Sequence, residues 1–182
     1  MAMTQTRSFF WQILIKSAIT HTVTYFVAGL LAYSILDYKA LYANTSLNLL
    51  MRQTTDPLVT AGPLFQPIRG ILFGFVFYLL REVVFQKKNG WLILWSMLFV
   101  IGIAGTFGPT PGSLEGLIYT VLPISVQFKG LPEVLLQSLA LSSVLHYWVN
   151  HAEKKWLNWC MGIAFFFVLL LPLLGLLAGQ RS

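Results

Sequence analysis

Apolar residues fall in long blocks separated by short polar or Gly/Pro-containing breaks, and block length is the first guide to structure. The block from Phe9 to about Leu36 would extend about 40 Å as an α-helix, enough to cross a hydrocarbon core of about 30 Å with tilt. Lys16 interrupts it and the run outlasts a leader peptide, so it is expected to be a first crossing rather than a signal sequence. Residues Asp37 to Asp56 mix tyrosines and leucines with Asn44, Asn48, Arg52 and Gln53, the pattern of an interfacial helix or a structured loop.

The second block, Leu58 to Phe85, holds Pro63 and Pro67, which predict a non-helical or kinked first third and a straight helix from about Pro67. The polar turn Gln86-Lys87-Lys88-Asn89-Gly90 then joins this helix to an antiparallel partner, the third crossing, from Trp91 to Phe107. Blocks follow at Ser113 to Phe128, at Leu131 to Val149, and at Leu157 to Ala178, the last with Pro172 inside it. Trp148, Trp156 and Trp159 are expected at headgroup level around this final anchor.

The expected fold is therefore all-α, a single polytopic bundle over residues 1–182 with about six transmembrane helices. Five crossings plus a re-entrant segment form the alternative, because Ser113 to Phe128 would be only about 24 Å long as a helix. In the five-crossing case Lys87-Lys88 and Lys154-Lys155 share a face; in the six-crossing case they are opposite. The distribution of Lys and Arg does not choose between them.

Composition reinforces the membrane assignment. Of 182 residues, 57% are hydrophobic and only 10% charged, against roughly 25% charged in soluble domains. The formal charge of +6 is scattered over block ends, as expected for lipid headgroup contact and a positive-inside bias, and nucleic acid is not expected as a partner. A plasma or inner membrane with a cytoplasmic N-terminus is the expected setting. The single cysteine, Cys160, excludes an internal disulfide and is expected as a packed structural thiol.

Candidate chemistry begins with Glu115, a carboxylate in an apolar stretch that follows Gly108-Pro109-Thr110-Pro111-Gly112. A charge at membrane depth costs roughly 2.5 to 3.5 kcal/mol on insertion scales, so it is expected to have a partner or a task. Tyr119 stacks near it at helical spacing, and Gly112, Gly116 and Thr120 would form a small-residue face for a second helix.

Arg69 and Arg81 bracket the second helix. They either snorkel to opposite interfaces or turn inward, one of them to pair with Glu115 or bind an anionic group. Arg69, just after the two prolines, is the better inward candidate. Ser17, Thr20, His21, Thr24 and Ala28 share a sector of about 100° on the first helix, which should face protein or line a hydrated path.

Ser142, His146 and Asn150 stack on the fifth block, with Glu133 and Gln137 near its start. Glu133, after Leu131-Pro132, suits a positive helix terminus. Neither His21 nor His146 belongs to a ligand motif, so no metal or other cofactor is expected, and HExxH, GxSxG and phosphate-loop patterns are absent.

Three functions fit these features. The first is a transport or channel-type protein, or a membrane substrate-binding subunit, with a polar intramembrane site for a small polar or anionic ligand formed from Glu115, Arg69, Arg81, Tyr119 and His146. The second is an embedded enzyme acting on a lipid or quinone. The third is an accessory subunit, in a homo-oligomer or larger membrane complex, whose small-residue faces are docking surfaces.

Overall fold

The computed structural model describes residues 2–43, 47 and 51–179, with residues 2–7 described as helical backbone only. All regular structure among the described residues is helical. Among the described residues, three helices are long and apolar enough to cross a membrane, over Ser8–Leu36, Gly62–Leu79 and Lys155–Ala178.

Helix α1 (Ala2–Leu36) ends where Asp37 takes a positive φ of 47° and turns the chain into the short helix α2 (Tyr38–Ala43). This short helix falls in the segment expected to be an interfacial helix or a structured loop, of which Asn44 and Asn48 lie outside the described residues. Helix α3 (Pro57–Thr60) is capped by Asp56, whose carboxylate accepts from the Leu58 amide at 2.8 Å and from Arg52 at 2.9 Å.

Helix α4 (Gly62–Leu79) starts five residues earlier than the prolines suggest. Pro63 occupies the first turn, where a missing N–H costs nothing, and Pro67 forfeits one intrahelical bond without breaking the helix. The first third of the block is thus largely helical but interrupted at Ala61, between α3 and α4, so the non-helical form of the expectation is absent while a break remains.

After α5 (Arg81–Val84) the chain turns through Lys87-Lys88 into α6 (Gly90–Ser96), the hairpin anticipated from the sequence. Beyond α6 the helix widens into eight π-helical residues, Met97–Ala104, closed by an amide from Gly105 to the Val100 carbonyl at 2.7 Å. Together α6 and its π continuation form a shorter apolar helix.

The block from Ser113 to Phe128 departs most from its expected form. It holds two six-residue helices, α7 (Leu114–Tyr119) and α8 (Ile124–Lys129), each about 9 Å long and too short to cross. Thr120 is extended, and Pro123 starts α8 from an extended conformation of its own. Gln127 knots the two halves: its amide donates to the Gly116 carbonyl at 2.8 Å and to Thr120 Oγ1 at 2.7 Å, while its Oε1 accepts from the Gly112 amide at 3.0 Å. Gly112 lies in a turn with φ +84°, and a Cβ on Gly116 would sit 2.0 Å from the Thr110 carbonyl oxygen. The supposed small-residue helix face is thus a folded loop, not a docking stripe.

Helices α9 (Leu131–Asn150) and α10 (Lys155–Gly179) match their blocks. The main core gathers Ile13, Phe77, Leu94, Leu141 and Leu145 from α1, α4, α6 and α9. α1 packs against α4 at very close range: a Cβ on Gly70 would lie 2.5 Å from the Ala18 Cα. Small residues permit such approach between membrane helices, where van der Waals packing drives association.

Two expectations about the final anchor change. Trp148 is not at the surface but 3% exposed, its indole N–H donating to Asn158 Oδ1 at 2.7 Å, whereas Trp156 and Trp159 are exposed. Cys160 is exposed on the outer side of α10 rather than packed, since α10 turns Leu157 and Met161 inward instead.

Candidate functional site

The polar face of α1 is buried, as its small-residue stripe requires. Ser17 and Thr20 are fully buried, and their hydroxyls find no protein partner among the described residues. Thr22 and Thr24 return theirs to carbonyls of their own helix. One side-chain bond crosses from this face to α4. Gln66 donates its amide to the Gly62 carbonyl at 3.2 Å, so its Oε1 is the acceptor, and His21 Nε2 donates to it at 3.1 Å. His21 Nδ1 is buried and has no protein partner among the described residues.

His21 borders a cleft of about 570 Å³ bounded by α1, α4, the π-helical segment and α9. Its walls are mostly apolar, with Phe73, Phe77, Met97 and Leu141 among them. Its polar lining comes from Tyr25, Arg69, Glu133, Gln137 and Ser138 together with His21. The Arg69 guanidinium lies over the Phe73 ring, 5.3 Å from its centroid, and makes no ion pair among the described residues. Val76 and Ile101, both exposed, mark the outer lips of the cleft on α4 and the π segment.

The carboxylate of this cleft is Glu133. It projects from the first turn of α9 and accepts a hydrogen bond from the Tyr38 hydroxyl on α2. Burial, reinforced by that bond and by the carboxylate's charge, raises the Tyr38 phenol well above its ordinary pKa, and burial with the same carboxylate raises Tyr42. Tyr38 is therefore a hydrogen-bond donor at every physiological pH. A second cavity, of about 440 Å³, lies on the other side of Glu133, and Tyr25 also borders both spaces.

No family model, curated protein or solved structure matches this chain. The case for a site therefore rests on its own geometry.

The five residues singled out from sequence do not converge. Arg69 lines the cleft; Glu115, Arg81, Tyr119 and His146 do not. Glu115 sits half-buried in the first turn of α7, the terminus whose backbone Ser113 caps, and pairs with neither arginine among the described residues. Tyr119 is 71% exposed. Arg81 donates to the Tyr78 carbonyl at 3.1 Å, lies over the Tyr78 ring and meets Glu82 at 3.7 Å.

His146 belongs to the opposite end of α9 from Glu133. Its Nε2 donates to the Lys87 carbonyl at 3.1 Å, and its ring stacks on Phe85. This fixes the α5–α6 turn against the end of α9 and removes His146 from the cleft.

Glu133, Gln137 and Ser138 share one face of α9, and this polar strip on an apolar helix was the available sign of a site. Tyr38 carried no such sign, because its role depends on a hydrogen bond to Glu133, 95 positions away.

Proposed function

We propose that the protein is a multi-pass membrane protein whose cleft between α4 and the π segment binds a small ligand, in the manner of a transport-type protein or a membrane substrate-binding subunit. The observation that carries this reading is an apolar cleft with Arg69, which has no ion pair among the described residues, on one wall and Glu133 on another. Ligand sites are mostly apolar cavities of about 300 to 1,000 Å³ with a few convergent polar groups, and this one falls within that range. Charged groups at membrane depth, and irregular helix beside them, are retained mainly where they face a cavity or other protein. π-helical turns recur at functional sites for the same reason.

The topology that fits is five crossings, α1, α4, α6 with its π continuation, α9 and α10, with residues 106–130 folded as an insert at one face. The contact of His146 with Lys87 supports it, since it sets the α5–α6 turn beside the end of α9. Lys87, Lys88, Lys154 and Lys155 then share one face, which the positive-inside rule assigns to the cytoplasm together with the N-terminus.

A second reading, an enzyme acting on a lipid, draws on the apolar lips at Val76 and Ile101, which would admit a chain from the bilayer. Against it, the cleft's histidine already holds Gln66 through Nε2 and has its other nitrogen buried.

Density maps of the full chain purified in native lipid test the proposal. A non-protein feature beside Arg69 and Glu133 is expected, and it should be lost in Arg69→Gln without loss of folded protein. Disordered lipid alone in the wild-type cleft, unchanged by the substitution, would favour the accessory-subunit reading.

A further inference from the structure

The second cavity differs from the first in its charge. Tyr25, Tyr33, Tyr38 and Tyr42 line it, and among the described residues Glu133 is the only ionisable acid or base other than these phenols on its walls. No Lys or Arg reaches it, and Glu133 has no ion pair among the described residues. The neutral Tyr38 hydroxyl donates to Glu133. Tyr38 and Tyr42 stack at 5.3 Å with their planes 11° apart, so both rings are held in fixed orientation. Pro63, Pro172 and aliphatic side chains add apolar surface, and Thr54 and Thr60 add two neutral hydroxyl-bearing side chains to the walls.

We infer that this tyrosine-lined cavity is a binding site for an alkylated ammonium group, with Glu133 as counter-charge and the tyrosine rings as its cage. Each part of the lining fits that chemistry. Aromatic faces attract cations electrostatically within about 6 Å, and cages of aromatic rings are the recurrent solution for quaternary ammonium ligands. A quaternary ammonium donates no hydrogen bonds, so a lining that is mostly ring, proline and aliphatic carbon does not penalise it, and the neutral hydroxyls of Thr54 and Thr60 add no opposing charge. An anion would meet Glu133 with no compensating base, and a neutral apolar ligand would leave the carboxylate desolvated and unpaired. The cavity rests on its own lining and does not require a ligand in the Arg69 cleft. The group could arrive on a soluble amine or on a choline-type lipid headgroup; the recognition chemistry is the same.

Calorimetric titration of the full chain, in nanodiscs of phosphatidylglycerol, with tetramethylammonium chloride tests the inference, with sodium chloride at equal ionic strength as control. Saturable binding of tetramethylammonium and none of sodium is expected. Glu133→Gln should weaken it by about tenfold or more, the scale of losing a charge-assisted contact. Tyr33→Leu should weaken it by about 2- to 5-fold while Tyr33→Phe leaves it unchanged, because the ring face and not the hydroxyl is used. Tyr33 is half-exposed, so this pair tests the site even where Glu133→Gln fails to fold.

Arg69→Gln should leave the binding intact, which separates this site from the cleft. Repeating the titration in phosphatidylcholine identifies the source: competition by the lipid points to a headgroup, its absence to a soluble amine. Absence of saturable binding to folded wild-type protein, or binding indifferent to both Glu133→Gln and Tyr33→Leu, would overturn the inference.

Discussion

Glu133 and Glu115 illustrate how much of the site is decided residue by residue. Glu115 stands out in the sequence as a lone acid in an apolar block, yet it lies in the first turn of a six-residue helix within a knotted loop. Glu133 follows a proline at a helix start, where an acid has an ordinary explanation, and its importance depends on Tyr38, 95 residues earlier in the chain. Arg69 was legible because two prolines and a glycine mark its helix start. Asp56 permits a pH prediction outside the membrane. Its pKa is lowered first by the Leu58 amide and then by Arg52, so the cap is complete above the ordinary value of 3.8 and is lost as pH falls through the lowered value. Amide exchange at Leu58 and Val59 should therefore rise only below pH 3.8, and Asp56→Ala should show the faster exchange at neutral pH.

At the level of elements, block length located α1, α4, α9, α10 and the α5–α6 turn, because hydropathy reports directly which stretches tolerate lipid. It did not disclose the π-helical widening at Met97–Ala104, which no composition rule marks. Nor did length alone reveal that Ser113 to Phe128 is two helices, although Pro123 inside the block was the available sign. Two glycines in the helices should respond oppositely to one substitution. Gly70→Ala forces a methyl against the α1 backbone at 2.5 Å, an overpacking expected to cost about 1–3 kcal/mol. Gly102 meets nothing within 4 Å of a built Cβ, so Gly102→Ala should be neutral or slightly stabilising. Unfolding midpoints of both variants in the same detergent check the contrast.

For the whole molecule, membrane embedding and an all-helical architecture were legible from composition, whereas the packing of α1 between α4 and α9 was not. The proposed five-crossing arrangement makes a direct prediction: single cysteines at Lys88 and Lys154, in a Cys160→Ser background, should react with an impermeant maleimide from one side of sealed vesicles. Cysteines at Lys39 and Lys129 should react from the other. Opposite-sided labelling of Lys88→Cys and Lys154→Cys would instead restore six crossings.

The same packing bears on how the chain is made. Buried Lys16 donates to the Trp148 carbonyl at 2.7 Å, closing the end of α9 from a helix 132 residues away in sequence. At about 5–20 residues per second, synthesis of that interval takes roughly 10 s. In the proposed membrane arrangement, the first helix spends that time at the translocon or in the bilayer with an ammonium that has not met its acceptor. Lys16 is thus both a late lock of the finished bundle and a reason for α1 to remain near the insertion machinery until α9 emerges.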